Sequence, residues 1–237
     1  MVEKRELLYE GKAKKLFVTD EMGHLWVEYL DQATALNGAR KDEVLGKAEL
    51  NNQITSIIFE ELASKGIASH FIRKLSNNEQ LVAQVKIIPL EVVVRNFAAG
   101  SFSKRLAVEE GKKLKSPVLE FYYKDDALDD PFINDDHVKL LGIAEEEEIA
   151  AIKTAAYAVN AALIELFDEI GIRLIDFKIE FGRAADGSIL LADEISPDTC
   201  RLWDKETNDH LDKDVYRRGI GDIVPVYQEV FSRLKNK

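Results

Sequence analysis

Charged side chains interrupt an apolar stretch that otherwise has the composition of a buried strand. In residues 174–182, Asp176, Lys178 and Glu180 alternate with isoleucine and phenylalanine. Successive side chains of a strand point to opposite faces, so the three charges share one face and the apolar residues pack into the core on the other. Because buried charges need partners, a face that carries a minus, a plus and a minus predicts the floor of a binding site.

A second apolar run, residues 189–195, follows this stretch and carries another carboxylate. Asp186-Gly187 between the two runs indicates a hairpin with a two-residue loop, which would place Glu180 directly opposite Asp193. Opposed carboxylates repel each other, whereas Mg²⁺ takes oxygen ligands of this kind together with substrate phosphates. The pattern predicts that Glu180 and Asp193 hold Mg²⁺; a solvent-exposed acidic ribbon is the alternative. A one-residue change in the turn would remove this pairing.

Two motifs rich in positive charge predict separate sites for anions. The turn Gly11-Lys12-Ala13-Lys14 lies between two predicted strands, as in the hairpin that kinases fold over ATP phosphates, and not between a strand and a helix as in a Walker A loop. Arg95 lies at the end of an apolar strand. In the following Ala98-Ala99-Gly100-Ser101, the small residues allow the backbone to approach a ligand closely, and Ser101 can cap a helix. Arg201 lies just after the hairpin and can join Arg95 in binding phosphate. A plain turn and a surface arginine are the simpler alternatives.

The composition argues against several classes of partner and site. A net charge of −11, from 43 acidic and 32 basic residues, disfavours a nucleic-acid-binding surface. The four histidines lack the spacing of zinc ligands. The single cysteine, Cys200, has no histidine near it in the sequence and is expected to be an inert thiol in a reducing compartment. We find neither a signal peptide nor an apolar run of membrane-spanning length, and we expect a cytoplasmic protein that does not bind membranes.

The elements that must position these residues indicate an α+β fold with two lobes. Strands and short turns dominate residues 1–88, Pro89 marks the boundary, and residues 89–237 form a larger second lobe. An acid-rich loop at 124–136 is either a lid with some substrate contact or a solvated connection. The predicted strands are 7–9, 16–18, 25–30, 67–75 and 81–87, and the predicted helices are 50–64, 145–170 and 222–234.

Over essentially its whole length, the chain resembles the phosphoribosylaminoimidazole-succinocarboxamide synthase (SAICAR synthetase) family. The matching segments are 8–14, 91–101, 108–111, 174–182 and 193–204. The resemblance implies a ligase that joins the carboxylate of carboxyaminoimidazole ribotide to the amine of L-aspartate and converts ATP to ADP and phosphate. It also implies an ATP-grasp-like or kinase-like fold with ATP between the two lobes, and a homodimer.

The resemblance further implies roles for individual residues. The first lobe would cover the nucleotide, and the second would hold the ribotide and the metal. The implied ATP contacts are Gly11, Lys12, Ala13, Lys14, Lys86, Ile87 and Lys124, with Glu180 and Asp193 as ligands of Mg²⁺. The implied ribotide contacts are Arg95, Ser101 and Arg201, and Lys178 and Asp198 are the implied catalytic residues.

Two other classes of function would use part of this set of residues. A small-molecule kinase would use the same lysines and Mg²⁺ ligands, but Lys178 follows Asp176-Phe177 where a protein kinase has glycine. A nucleotide-sensing module would need neither the paired carboxylates nor a second anion site. A carboxylate is a poor electrophile, so a ligase must first convert it to an acyl phosphate. The sequence does not indicate which group then takes the proton from aspartate.

Overall fold

The computed structural model describes residues 2–35 and 40–237, and it has the expected α+β architecture built on antiparallel sheets. The strands are β1 (Lys4–Glu10), β2 (Lys14–Thr19), β3 (His24–Tyr29), β4 (Gln32–Ala35), β5 (Arg40–Glu43), β6 (Phe71–Lys74), β7 (Glu79–Ala83), β8 (Lys86–Ile87), β9 (Leu90–Phe97), β10 (Lys113–Tyr123), β11 (Phe132–Ile133), β12 (Ile172–Arg183), β13 (Ile189–Ala192) and β14 (Cys200–Asp204). The helices are α1 (Lys47–Ser64), α2 (Gly100–Leu106), α3 (Asp135–Leu140), α4 (Glu146–Glu169), α5 (Asp214–Arg217) and α6 (Ile223–Lys235).

The N-terminal sheet has five strands in the order β1-β2-β3-β7-β6. Its middle strand, β3, alternates as a sheet with one covered face requires: Leu25, Val27 and Tyr29 are buried, and the residues between them are only half-buried. The predicted strand at 81–87 is two strands in the structure. Because β7 belongs to this sheet and β8 pairs with β12, the chain passes from one sheet to the other between Ala83 and Lys86.

The second sheet is assembled around β12, which is the longest strand. Its five-strand path is β11-β10-β9-β12-β13, and both β14 and β8 also pair with β12. The strand therefore has neighbours along its whole length, with β9 and β14 beside Asp176 and β13 beside Glu180. This arrangement places the charged face of β12 in the middle of the molecule. The predicted alternation is confirmed, since Ile175, Phe177, Ile179 and Phe181 are all buried in the core.

Helix α4 covers the opposite, apolar side of the second sheet. Its buried residues recur at helical spacing, and the predicted bounds 145–170 are correct to within one residue at each end. The length and composition of α4 would suffice to cross a membrane, contrary to the expectation that the sequence has no such stretch. In this fold it is a core helix that packs against β12. The buried residues of α4 are Ile149, Ile152, Ala156, Val159, Asn160, Ala162, Leu163, Leu166 and Phe167.

Helix α1 follows the first strands of the chain but packs against α6, near the C-terminus. Its apolar residues Ile54, Ile58 and Leu62 belong to the same core cluster as Tyr227 and Val230 of α6. The acid-rich loop at 124–136 contains a short 3-10 turn, the short strand β11 and the first residues of α3.

Candidate active site

A cavity of about 720 Å³ lies between the N-terminal sheet and the charged face of β12. One wall is apolar and comes mainly from the N-terminal sheet and the chain that leaves it. The opposite wall carries most of the charged residues that the sequence singled out. The apolar residues include Leu16, Leu25, Val27, Val82, Val85 and Ile87. The polar lining includes Lys12, Lys14, Arg95, Lys124, Asp176, Lys178, Glu180, Asp193, Asp198 and Arg201.

Three lysines, which we call the lysine cluster (Lys14, Lys124 and Lys178), neutralise the two carboxylates predicted to bind metal. Lys14 forms a close ion pair with Asp193, and Lys124 forms one with Glu180. The ammonium of Lys178 lies 3.4 Å from a carboxylate oxygen of Glu180 and donates to Glu91 at 2.7 Å. The side chains of Lys124 and Lys178 are 44% and 30% exposed, so solvent and ligands can reach these pairs.

The charges of this cluster stabilise one another. Burial opposes the charge of Lys178, but Glu180 and Glu91 outweigh that effect and raise the pKa of Lys178 above its ordinary value. Burial likewise opposes ionisation of Asp193, and the neighbouring lysines, with Lys14 foremost, nevertheless lower the pKa of its carboxyl. These groups are therefore ionised at neutral pH, and the site offers both cations and carboxylates to a ligand.

The predicted register of the metal hairpin is wrong by one residue. Glu180 pairs with Ala192, not with Asp193, because the loop is longer than the two residues of a tight turn. Strand β13 ends at Ala192, and Asp193 has a left-handed backbone with φ 63°. That conformation lets Asp193 leave the strand, and its carboxylate still lines the same cavity as Glu180.

The second anion site, which we call the arginine clamp (Arg95, Ser101 and Arg201), is held by buried carboxylates. Arg95 donates to Glu120 and to Asp176, each at 2.6 Å, and its Nη2 donates to the Ser101 hydroxyl at 3.3 Å. Arg201 donates to Asp176 at 3.0 Å. The side chains of Arg95 and Asp176 are each only 4% exposed. The structure thus brings together the three residues assigned to one substrate by resemblance.

Gly100 explains how close Arg201 can come to α2. It has φ 54°, and a Cβ at this position would lie 2.5 Å from Arg201 Nη2. Any larger residue would therefore collide with the guanidinium and would also be strained in the left-handed region. The small residues before Ser101 make room for a side chain of the clamp.

Asp198, predicted to be catalytic, is the centre of a buried cluster. Its carboxylate accepts hydrogen bonds from Lys47 at 2.6 Å, from Asn51 at 3.1 Å and from the hydroxyl of Tyr227. Burial opposes its ionisation, but Lys47 and then Lys213 lower the pKa of Asp198 below its usual range. No sequence pattern indicated Lys47 or Tyr227, which come from α1 and α6.

Three more residues of the cavity were not predicted from the sequence. His70 lies with Nε2 3.1 Å from the carbonyl oxygen of Asp193, and burial lowers its pKa to about 4, so the imidazole is neutral and donates this hydrogen bond. Glu194 has one buried carboxylate oxygen without a hydrogen-bond partner among the described residues. Lys213 also lines the cavity. Conversely, Ile87 is part of the wall and Lys86 is not.

Cys200 is buried, and burial raises the pKa of its thiol, in agreement with the expectation of an inert cysteine. His210, Asp212 and Asp214 also lie close enough together to hold a metal ion. However, Asp214 already accepts hydrogen bonds from Arg201 and Arg217. This group also includes a histidine nitrogen, whereas Glu180 and Asp193 offer oxygen donors alone, which suit a hard cation better.

Comparisons with known proteins identify the family of the chain. The family model described as SAICAR synthetase matches residues 7–234. The phosphoribosylaminoimidazole-succinocarboxamide synthase of Enterococcus faecalis is 64% identical over 233 residues, which are 98% of each chain. The crystal structure of the enzyme of that name from Ehrlichia chaffeensis has a TM-score of 0.95 at 45% identity and covers 97% of this chain and 98% of its own. A SAICAR synthetase solved in complex with ADP has a TM-score of 0.94 at 46% identity, with 98% of both chains covered. The chain belongs to the SAICAR synthetase family.

Proposed function

We propose that the protein is an ATP- and Mg²⁺-dependent ligase of de novo purine biosynthesis. It joins the carboxylate of carboxyaminoimidazole ribotide to L-aspartate through an acyl phosphate and releases SAICAR, ADP and phosphate. The observation that carries this proposal is the presence of two separate groups of cations in one cavity, the lysine cluster and the two arginines of the clamp. Two sites suit two phosphorylated substrates, ATP and the ribotide.

The nucleotide would bind at the lysine cluster. The apolar wall suits adenine, and the backbone near Lys86 and Ile87 would hold its edge. The turn Gly11-Lys12-Ala13-Lys14 and Lys124 would contact the phosphates. The related enzyme solved with ADP supports this part of the proposal, at 46% identity over nearly the whole chain.

Glu180 and Asp193 would hold Mg²⁺ in the loaded enzyme. Both carboxylates line the cavity, and each is paired with a lysine ammonium group. An oxygen-only donor set of this kind fits Mg²⁺. When bound, the ion supplies charge neutralisation to the transferring phosphate. The three lysines are then available for phosphate and carboxylate oxygens, and Lys178 is the one placed next to both Glu91 and Glu180.

The phosphate of the ribotide would bind at the arginine clamp. Carboxylates occupy Nε and Nη1 of both arginines. The remaining nitrogen of Arg201, Nη2, lies beside Gly100. Nη2 of Arg95 already donates to the hydroxyls of Ser101 and Tyr122. Nη2 of Arg201 and the Ser101 hydroxyl are therefore the first donors that the clamp offers to a phosphate, with the charge of Arg95 behind them.

The protein groups need only position the reactants and balance charge. An oxygen of the ribotide carboxylate attacks the γ-phosphorus of ATP, and the resulting acyl phosphate is then open to attack by an amine. Such transfers rely on orientation and electrostatic stabilisation, and a protein nucleophile is not required. We further propose two lobes, 1–88 and 89–237, and a cytoplasmic homodimer, whose stoichiometry sedimentation of the purified protein would establish.

Isotope transfer tests the reaction type. With ¹⁸O in the ribotide carboxylate, we expect one labelled oxygen in the released phosphate. Full turnover to the amide should need ATP, Mg²⁺, ribotide and aspartate together. A kinase would release ADP without consuming an amine, and a nucleotide-sensing module would release none. Amide formation with unlabelled phosphate would contradict the acyl-phosphate route.

A further inference from the structure

Lys213 differs from the other lysines of the cavity in its distance to a carboxylate. Lys12 and Lys178 donate to carboxylates at 2.7 Å, and Lys14 and Lys124 form still closer pairs. The ammonium nitrogen of Lys213 is 3.7 Å from the nearest oxygen of Asp198, which is beyond hydrogen-bond distance. Its side chain is nevertheless only 10% exposed.

Asp198 does not form a hydrogen bond with Lys213, because both of its carboxylate oxygens already accept hydrogen bonds from other groups. The oxygen nearest to Lys213 accepts hydrogen bonds from Lys47 and Asn51, and the other oxygen accepts one from Tyr227. One carboxylate thus faces two lysines. Lys47, which is closer and more deeply buried, forms the ion pair with it. A second ammonium nearby is disfavoured by repulsion from the first and by lost hydration.

The surroundings of Lys213 agree with this geometry. Asp198 and Glu194 face it from the loop after β13, Lys47 faces it from α1, and Arg217 faces it from α5. Burial is the largest influence, and with the two neighbouring cations it outweighs both carboxylates and lowers the pKa of Lys213. Lys213 is the lysine of this cavity that is poised to be a neutral amine.

Lys213 lines the same cavity as the two proposed substrate sites. It directly precedes Asp214, whose carboxylate binds Arg201 of the arginine clamp. Its neighbour Asp198 lies on the loop that continues from Asp193 at the lysine cluster. Lys213 is therefore linked through neighbouring residues to both proposed sites, in the cavity where the activated ribotide would meet the incoming amine.

We propose that Lys213 is the base that takes a proton from the ammonium group of the amine substrate, an inference that rests on the proposed ligase function. The nitrogen lone pair released in this way attacks the carbonyl carbon of the acyl phosphate. The C–N bond forms, and the C–O bond breaks with its electron pair leaving on the phosphate. The departing phosphate takes the second proton that the nitrogen loses on becoming an amide, and Lys213 returns its proton to solvent.

Replacing the amine tests the proposal directly. Hydroxylamine is unprotonated at neutral pH, needs no base, and converts an acyl phosphate to a hydroxamate. In Lys213→Met we expect amide formation with aspartate to fall about a hundredfold to ten-thousandfold, whereas hydroxamate formation from ATP and the ribotide stays near the wild-type rate. Lys213→Arg keeps a positive charge but cannot act as a base, so it should fail with aspartate in the same way. Lys205→Met, at an exposed lysine paired with Asp168, controls for the loss of a lysine.

The pH dependence gives a second readout that also works in the wild-type protein. With aspartate, kcat should rise with pH as Lys213 loses its proton at its lowered pKa. With hydroxylamine, this rising limb of the pH profile should be absent above neutral pH. In Lys213→Met, the limb with aspartate should move up to the pKa of the free amine. A merely structural role for Lys213 would change the rate and leave the limb in place.

Three results would overturn the proposal. Recovery of aspartate-dependent turnover in Lys213→Arg would mean that only the charge matters. Loss of hydroxamate formation in Lys213→Met would place Lys213 in the phosphoryl step or in folding, and an identical pH limb with both amines in the wild-type protein would exclude a titrating base. Failure of the wild-type protein itself to form hydroxamate would instead contradict the proposed ligase function.

Discussion

The two ends of the cavity differ in the groups that neutralise their buried carboxylates. At the arginine clamp, rigid guanidinium groups are fixed by carboxylates that are almost fully buried, such as Asp176 and Glu120. At the lysine cluster, the carboxylates Glu180 and Asp193 are balanced by flexible ammonium groups that remain partly exposed. Arginine forks lose less freedom on binding than lysine side chains do. The first end is therefore prepared for one anion, and the second can exchange its ion-pair partners when charged ligands bind.

The largest effect should follow from removing a carboxylate at the lysine cluster. Glu180→Gln keeps the shape of the side chain but removes a proposed metal ligand, so Mg²⁺-dependent turnover should drop by several orders of magnitude, because neutralisation of a transferring phosphate is worth several kcal/mol. Folding should be little changed, since Lys178 keeps Glu91 as a partner and the Lys124 side chain, 44% exposed, can be hydrated instead. Steady-state ADP release measures the effect, and Glu91→Gln, which weakens the same lysine pair but removes no proposed ligand, is the control. Near-wild-type turnover at saturating Mg²⁺ in both Glu180→Gln and Asp193→Asn would remove these residues from the site.

The next effect should be a loss of stability at the arginine clamp. Asp176→Asn leaves Arg95 and Arg201 without the carboxylate that they share. Removing one partner of a buried ion pair typically costs about 3–5 kcal/mol, and we expect the free energy of unfolding in urea to fall by that amount. Glu180→Gln, at the other end of the cavity, is the matched comparison. Equal losses in the two variants would mean that the ends do not differ in rigidity.

A smaller effect should follow from displacing Arg201 without removing its charge. Gly100→Ala places a methyl group against the guanidinium, so ribotide binding should weaken by about 1.5–3 kcal/mol, the value of a charge-assisted hydrogen bond, while ATP affinity stays the same. Calorimetric titration with each ligand measures both constants. Gly142→Ala, at φ 62° with open space around it, controls for backbone strain. If ATP binding weakens instead, the two anion sites have been assigned in the wrong order.

The smallest effect concerns a third arginine pair, at the outer end of β12. Arg183 donates to Glu148 and lowers the pKa of that carboxyl from 4.5 to about 2. A carboxyl with a lowered folded-state pKa stabilises the protein above its unfolded pKa, so this contribution should disappear as pH falls from about 5 towards 2. Because the pair is near the surface, we expect about 1 kcal/mol or less. Urea unfolding of Arg183→Gln against wild type should show that difference at pH 7 and none at pH 2; a difference that persists at pH 2 would have another cause.

The sequence could predict the parts of the site that depend on neighbours along the chain. The alternation of charge in β12 is such a feature, because strand geometry alone assigns Asp176, Lys178 and Glu180 to one face. The turn at 11–14 and the clamp residues near Arg95 are local as well. In each case a short segment contains both the chemistry and the element that presents it.

The register of the metal hairpin could not be predicted in the same way. It depends on Asp186, whose side chain accepts hydrogen bonds from the backbone and hydroxyl of Ser188 and so organises a longer loop. The position of the Asp193 carboxylate depends in addition on the left-handed backbone of that residue, a conformation that a propensity argument assigns to glycine or asparagine first. Such local exceptions shift a strand by one residue and reverse the faces of everything beyond it.

The partners of Asp198 could not be predicted for a different reason, which is their distance along the chain. Lys47 is 151 residues away in the chain, and Tyr227 is 29 residues away. A single sequence shows that Lys47 is a lysine at the start of a helix, where exposure to solvent is the normal expectation. Only the packing of α1 against α6 brings it to full burial beside a carboxylate.

The ion pair between Lys47 and Asp198 also constrains how the chain reaches its native state. Helix α1 is complete by residue 64, but its lysine stays uncompensated until residues near 198 and 227 have been synthesised and docked. Contacts between such distant segments slow folding, because a long loop must close before the contact stabilises anything. During synthesis, the first strands and α1 would therefore keep an apolar face exposed until α6 has been made and has packed against α1. We expect fragments that contain α1 but lack α6 to depend on chaperones.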